Sequence, residues 1–296
     1  MTTYIGIDAG GSKTAVLLAS GEKVLARAEG PPGAVRPGRA LAAASRIAAT
    51  VRRALTEAQL LEADVLCVGA AGVGRDPERT ELREGLRGER LARSIVVTGD
   101  LDIALEAAFG SGPGIVLVSG TGSVAMARTP DGGLYRQGGY GWQMGDEGSG
   151  YAVARAALQA LGRAHDGRNE ATKLNELILA HPPRRSFDEL VRWSSSAEPG
   201  EIAILAPIVF AAAAAGDAVA REIVESAAED LAGLAAPLLA KFPPKGHVGL
   251  ALAGGNLAPG RGLRAPLITR LKKTPRYAVR EGLLEPAEGA LAIARR

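Results

Sequence analysis

The sequence predicts an α/β protein made of two related, sheet-containing halves. Three observations predict it. An apolar run, a glycine turn and a second apolar run open the chain, and the same pattern returns after residue 114. Between the two, strand-length apolar segments alternate with helical periodicity in the order β-β-β-α-β-α-β. Hydrophobic residues make up 47% of the 296 residues and aromatics only 4%, which calls for a core of Ala, Leu, Val and Ile in two domains of ordinary size.

Tyr4-Ile5-Gly6-Ile7 leads into Asp8, then Gly10-Gly11-Ser12-Lys13-Thr14, then the apolar run Ala15 to Leu18. This reads as a β-hairpin with an acid at its mouth. Lys23 to Ala28 is a third strand, and Gly30-Pro31-Pro32-Gly33 breaks the chain. Residues 38 to 58 carry helical spacing, Asp64 to Val68 is a buried strand, 77 to 93 is a helix, and Ser94 to Thr98 is another strand. A helix from Ile103 to Phe109 follows.

The second round has strands at Ile115 to Val118 and Val124 to Ala127 around the turn Ser119-Gly120-Thr121-Gly122-Ser123. After Gly138-Gly139-Tyr140-Gly141-Trp142 and Gly145 to Gly150 come helices to about residue 240. The apolar run Ile202 to Ala215 is too short to span a bilayer and reads as one buried helix. Val248 to Ala253 is a strand ending in Gly254-Gly255-Asn256, and an Ala-rich helix closes the chain. Gly110-Ser111-Gly112-Pro113 places the boundary between Glu106 and Pro113. The expected domains are 1–110 and 111–284, with the helix at about 285–296 packing on the first.

The first glycine turn suits anion binding. Gly10 and Gly11 let backbone N–H groups approach a phosphate, and Ser12, Lys13 and Thr14 add donors. Asp8 is a candidate ligand for hydrated Mg²⁺, a hard cation that prefers oxygen. Asp100 and Asp102 follow a strand, and either could cap the next helix; Asp102 suits that N-cap role better. Trp142 offers a flat apolar face. Arg75 could meet a phosphate or a substrate acid, although an ion pair at the surface is the favoured reading.

Composition excludes several classes. Net charge is +3, from 35 basic and 32 acidic residues, and no basic run is interleaved with aromatics, which argues against nucleic acid. Arg270 to Lys273 reads as a solvated helix face. One cysteine, Cys67, permits no internal disulfide and no cysteine-based metal cluster within one chain; it reads as a small buried hydrophobe suited to a reducing cytoplasm. With a strand starting near residue 4, neither a signal peptide nor a membrane partner is expected. His165, His181 and His247 share no metal-ligand spacing and read as loop or surface residues.

Taken together, these motifs resemble the actin-like ATPase and sugar-kinase superfamily and, within it, the N-acetylglucosamine kinase branch, the BadF/BadG ATPase family. Gly6 to Thr14 matches the first phosphate motif, Ser119 to Ser123 the second, and Gly254-Gly255 the adenosine motif. Gly141-Trp142-Gln143-Met144-Gly145-Asp146-Glu147-Gly148-Ser149-Gly150 is close to the family signature. The resemblance implies two ribonuclease-H-like domains with an interdomain cleft. ATP would lie there, held by Gly10, Gly11, Ser12, Lys13, Thr14, Gly120, Thr121, Gly122, Ser123, Gly254, Gly255 and Asn256, with Mg²⁺ on Asp8.

The resemblance further implies phosphorylation of N-acetylglucosamine at O6. Asp100 is the implied base, and Trp142, Gly145, Asp146 and Asp100 the implied sugar contacts, with Glu147 a weaker candidate. A homodimer in the cytoplasm is also implied. Two positions depart from the pattern: Ala34 stands where the family places a sugar-binding Asn, and Gly99 replaces the Asn before the base. Glucosamine or N-acetylmuramate kinases, or a non-catalytic ATP and sugar sensor, are the alternatives. The iron–sulfur activators sharing the fold need more cysteines than one.

Overall fold

The computed structural model describes residues 1–74, 76–168, 172–181 and 186–296. Arg75, a candidate phosphate contact, lies outside them. The chain divides into two compact units, Met1–Val116 with Leu284–Arg296, and Leu117–Leu283.

The first unit holds β1 (Thr3–Ala9), β2 (Thr14–Ser20), β3 (Lys23–Gly30), α1 (Ala40–Glu57), β4 (Ala63–Ala70), α2 (Asp76–Gly88), β5 (Ala92–Gly99) and α3 (Asp100–Phe109). Its sheet runs β3-β2-β1-β4-β5, with the first pairs antiparallel and β1-β4-β5 parallel. This is the ribonuclease-H-like order. Side chains alternate across the sheet as the two-residue period demands. Ile5, Ile7 and Ala9 of β1 join the core under α1 and α2. Leu17, Ala19 and Cys67 face the other way.

The helix expected over 77–93 ends at Gly88, and β5 begins at Ala92, earlier than the sequence suggests. Arg90, at φ 52°, turns the chain between them, and Leu91 is buried at the junction.

The second unit continues with β6 (Gly114–Ser119), β7 (Ser123–Arg128), β8 (Leu134–Gly138), α4 (Gly150–His165), α5 (Leu174–Leu179), α6 (Phe187–Ser196), α7 (Pro199–Ala203), α8 (Ala206–Ala214), α9 (Ala218–Leu239), β9 (Val248–Ala253), α10 (Arg264–Leu271) and β10 (Tyr277–Val279). The division between the units falls inside β6, which pairs wholly within the second sheet. That sheet runs β10-β9-β6-β7-β8, the same order as the first when read from its hairpin edge. The sequence missed β8 and β10. The first is an exposed edge with Arg136 and Gln137 in it, and the second has three residues, so neither carries an apolar signature. The single buried helix expected over 202–215 is broken into α7 and α8, with Pro207 in the first turn of α8. Among the described residues, no single helix is long and apolar enough to cross a membrane.

The last helix, α11 (Pro286–Ala294), packs on the first unit against α3, β1 and β4. Glycines permit this. A Cβ on Gly6 would lie 2.4 Å from the Ala287 carbonyl oxygen, and one on Gly289 would lie 1.9 Å from that of Ile103. A composition poor in aromatics therefore builds its core by close backbone approach as well as by filling space with Leu and Ile.

Candidate active site

In the first unit, the candidate residues gather at the carboxyl ends of β1 and β5. Asp8 lies on the face of β1 that carries Tyr4 and Gly6, the face covered by α11 and α3. In register it aligns with Gly69 of β4, and Gly69 with Thr98 of β5. Gly69 has no side chain because Ile103 occupies that space, 2.4 Å from where a Cβ would sit. The start of α3, and Asp100 with it, is thereby fixed beside the sheet edge. Burial, and then the negative charge of Asp100, push the Asp8 carboxyl up from 3.8 to about 6, against the pull of Lys13.

Asp100 is the first residue of α3, where the helix dipole favours a carboxylate. Asp102 is committed elsewhere. Its carboxylate accepts from the Thr98 hydroxyl at 2.6 Å and from the Gly99 N–H at 3.0 Å. It therefore ties the helix start from the third position, while Gly99 is the N-cap residue itself. A Cβ on Gly99 would lie 3.1 Å from the Asp102 carboxylate, so the small residue accommodates this clamp. The charge of Asp102, after burial, also pushes the Cys67 thiol up to about 12, which leaves a buried, unreactive cysteine.

The first hairpin closes on the Ala9–Thr14 pair, with the Gly10 N–H donating to the Lys13 carbonyl at 3.0 Å. Gly11, Ser12 and Lys13 are exposed at its tip. Thr14 is different: it is fully buried, and its hydroxyl donates to the Pro31 carbonyl at 2.7 Å. Its role in this structure is to hold the following loop. The Gly33 and Ala34 N–H groups both donate to the Gly10 carbonyl, so Ala34 sits against the hairpin. Lys13 pairs with Glu29.

In the second unit, the other glycine turn is joined to the signature segment bond by bond. The Ser119 hydroxyl donates to the Gly148 carbonyl at 2.9 Å, and the Ser123 hydroxyl donates to that of Glu147 at 2.6 Å. The Gly150 N–H donates to the Gly120 carbonyl at 2.8 Å, and the Tyr151 N–H to that of Thr121 at 3.3 Å. The Ser123 N–H donates to the Asp146 carboxylate at 3.2 Å. Asp146 has φ 62°, a left-handed backbone uncommon for a non-glycine residue. Its carboxylate lies 2.9 Å from where a Cβ on Gly122 would be. Burial, with help from Glu147, holds this carboxyl above the usual range despite the Ser123 N–H and Arg136.

The third motif belongs to the same cluster. Asn256 donates to the Gly120 carbonyl at 2.9 Å and to the Ser119 hydroxyl at 3.2 Å. Gly254, at φ 89°, would place a Cβ 2.3 Å from the Ser119 carbonyl oxygen, so glycine is required on both counts. Trp142 is 44% exposed, its ring tilted 60° to Tyr151 at 5.5 Å. Tyr140 and Met144 flank it, also exposed, while Gly145 closes the turn with its N–H on the Gly141 carbonyl at 2.9 Å.

The structure therefore brings Asp8 and Asp100 together in one unit, and Gly120 to Ser123, Asp146 and Asn256 together in the other. Sequence reasoning read Asp102 as suited to cap α3, and the structure gives it that work from the third position with Gly99 as the N-cap; it missed Thr98, although the spacing Thr98-x-x-x-Asp102 across a helix start carries the signal. It also missed Ser119, whose hydroxyl links two loops. Among the described residues, no cluster of three or more His, Cys, Asp or Glu could hold a metal ion. A hydrated Mg²⁺ needs only one or two carboxylates beside phosphate oxygens, and Asp8 fits that requirement. His165 and His247 are exposed, and the His165 ring stacks on Phe187 at 3.9 Å.

Two matching sheets, each with a glycine turn at its hairpin, define the fold of the actin-like ATPases. The profile of the BadF/BadG/BcrA/BcrD ATPase family matches residues 5–294, and the chain belongs to that family. It is 32% identical over 244 residues to the N-acetylmuramic acid/N-acetylglucosamine kinase of Clostridium acetobutylicum, covering 78% of this chain and 77% of that one. It is 27% identical over 311 residues to the N-acetyl-D-glucosamine kinase of Dictyostelium discoideum, covering 98% and 97%. A crystal structure assigned as an N-acetylglucosamine kinase, from Chromobacterium violaceum, superposes with a TM-score of 0.84 at 29% identity, covering 99% of each chain.

Proposed function

We propose that this protein is an ATP-dependent sugar kinase that transfers the γ-phosphoryl group of ATP to O6 of N-acetylglucosamine. The observation that carries the reading is the division of labour at the start of α3. Asp102 is bonded to Thr98 and Gly99 as the tie of the helix start, and we assign proton transfer to Asp100, the first residue of α3, whose charge is felt at Asp8. Family membership and the names of the relatives support the same reaction class.

In this reading Asp100 accepts the proton of the attacking hydroxyl as the phosphoryl group is transferred. The two glycine turns, Gly10 to Lys13 and Gly120 to Gly122, cradle the phosphates, and the Gly254-Gly255-Asn256 turn receives the nucleoside. Asp146 and Trp142 hold the sugar, one by its hydroxyls and the other against the ring, with Gly145 shaping the turn between them. Asp8 would hold Mg²⁺, which when bound offsets the charge that builds on the phosphates. The two compact units serve as the two domains of the kinase. We assign the working protein to the cytoplasm as a homodimer.

N-acetylmuramate is the second reading. Ala34 leaves a smaller side chain against the first hairpin than the Asn implied by resemblance, and the Clostridium relative is named for both sugars. ADP release with Mg-ATP across N-acetylglucosamine, N-acetylmuramate, glucosamine, glucose and N-acetylmannosamine separates these readings. Turnover with N-acetylglucosamine, lost by about a hundredfold or more in Asp100→Asn with ATP-analogue binding retained, is the expected result. Equal turnover in the variant would overturn the assignment of the base, and no turnover with any sugar would overturn the reaction class.

A further inference from the structure

We infer that Ser123 is a positioning residue for the sugar contact Asp146, and that its hydroxyl does not bind phosphate. The inference rests on the sugar-kinase reading for its substrate and on hydrogen bonding for its geometry. Ser123 lies in the second glycine turn, where residue type alone would place its hydroxyl among the phosphate donors. In the structure it is 2% exposed. Both of its donors point into the signature segment: the hydroxyl to the Glu147 carbonyl at 2.6 Å, the N–H to the Asp146 carboxylate at 3.2 Å.

Asp146 needs such support. Its backbone is in the left-handed region, which costs free energy unless the surroundings fix it. Its carboxylate is pressed against Gly122, where no side chain fits. The hydroxyl bond to Glu147 anchors the next peptide, and the N–H bond aims the carboxylate. Ser119, Gly120 and Thr121 bond to Gly148, Gly150 and Tyr151 in the same way, so the turn and the signature segment move as one piece. The phosphate-binding share of the turn then falls to the less buried Gly120, Thr121 and Gly122.

The test is Ser123→Ala, with Ser123→Thr as the hydroxyl-retaining control, each read by KM for sugar, KM for ATP and melting temperature. Loss of a buried hydrogen bond at a positioning residue predicts a sugar KM raised about tenfold. The ATP KM stays within about twofold, and the Thr variant recovers most of the sugar affinity. A rise in ATP KM with sugar KM unchanged would make the hydroxyl a phosphate ligand and overturn the inference. A common rise in both, tracking a lower melting temperature, would also overturn it. Affinity for a fluorescent ATP analogue is measured in parallel. If the wild-type protein phosphorylates no sugar, the kinase reading fails on its own, and Ser123 is still decided by that affinity: unchanged in Ser123→Ala supports positioning, and about a tenfold loss overturns it.

Discussion

The Asp102 carboxylate accepts the Thr98 hydroxyl at 2.6 Å across the junction of β5 and α3. Asp100 sits inside that junction, so its position depends on a bond it does not make. Asp102→Ala removes the acceptor of both Thr98 and the Gly99 N–H. We expect kcat to fall about ten- to hundredfold, since small misplacement of a base is costly. Asp102→Asn keeps one acceptor oxygen and should lose less. Steady-state kinetics beside a thermal melt measures both.

Asp8 carries a stability cost that a neutral side chain removes. Its folded-state pKa of about 6 lies above the ordinary 3.8, so the native state binds the proton more tightly than the unfolded chain. Its contribution is least favourable above pH 6 and recovers as pH falls through 6 toward 3.8. Asp8→Asn is therefore expected to be more stable than the wild type by about 2 to 3 kcal/mol at pH 7.5. The difference closes below pH 4, while kinase activity is lost. Denaturant titration at several pH values follows the gap, and a constant gap would remove the electrostatic explanation.

Gly289→Ala should break the packing of α11. The added Cβ would meet the Ile103 carbonyl oxygen at 1.9 Å and the Ala107 N at 2.6 Å, all of it backbone. A loss of about 3 kcal/mol is expected. Gly233→Ala, inside α9 with nothing within 4 Å of the new Cβ, is the contrast and should gain roughly 0.5–1 kcal/mol. Chemical denaturation of the two variants checks the pair.

Trp142→Ala should separate binding from folding. Trp142 is 44% exposed and packs on Tyr151 alone among aromatic rings of the described residues, so its removal should lower the melting temperature far less than it weakens sugar binding. A sugar KM raised about tenfold, with ATP KM unaffected, is the outcome expected of a ring that stacks on the sugar. An unchanged sugar KM would remove Trp142 from the site.

Both glycine hairpins and most strands were legible in the sequence because their signals are local. Gly10-Gly11 and Gly120-Thr121-Gly122 sit between apolar runs, and nothing distant is needed to read them. The signature segment was legible as a motif but not as a partner of the second turn. The bonds joining Ser123 to Asp146 and Ser119 to Gly148 cross more than twenty residues and leave no periodicity. Thr14 was read as a phosphate donor and Asn256 as part of the adenosine turn, and only the structure shows their donors engaged with Pro31, Gly120 and Ser119. The break between α7 and α8 was hidden because an apolar run looks the same whether its helix is whole or bent.

The return of α11 to the first sheet sets a timetable for synthesis. Leu17 and Ala19, and the part of Cys67 that Ile103 does not reach, gain their cover only once Ala287 to Ala294 leave the ribosome. All of Leu117–Leu283 is made in between. At roughly 5–20 residues per second, that is a wait on the order of 10 to 30 seconds. The half of the molecule translated first is thus the half completed last, with the α11 side of its sheet open until the final helix arrives.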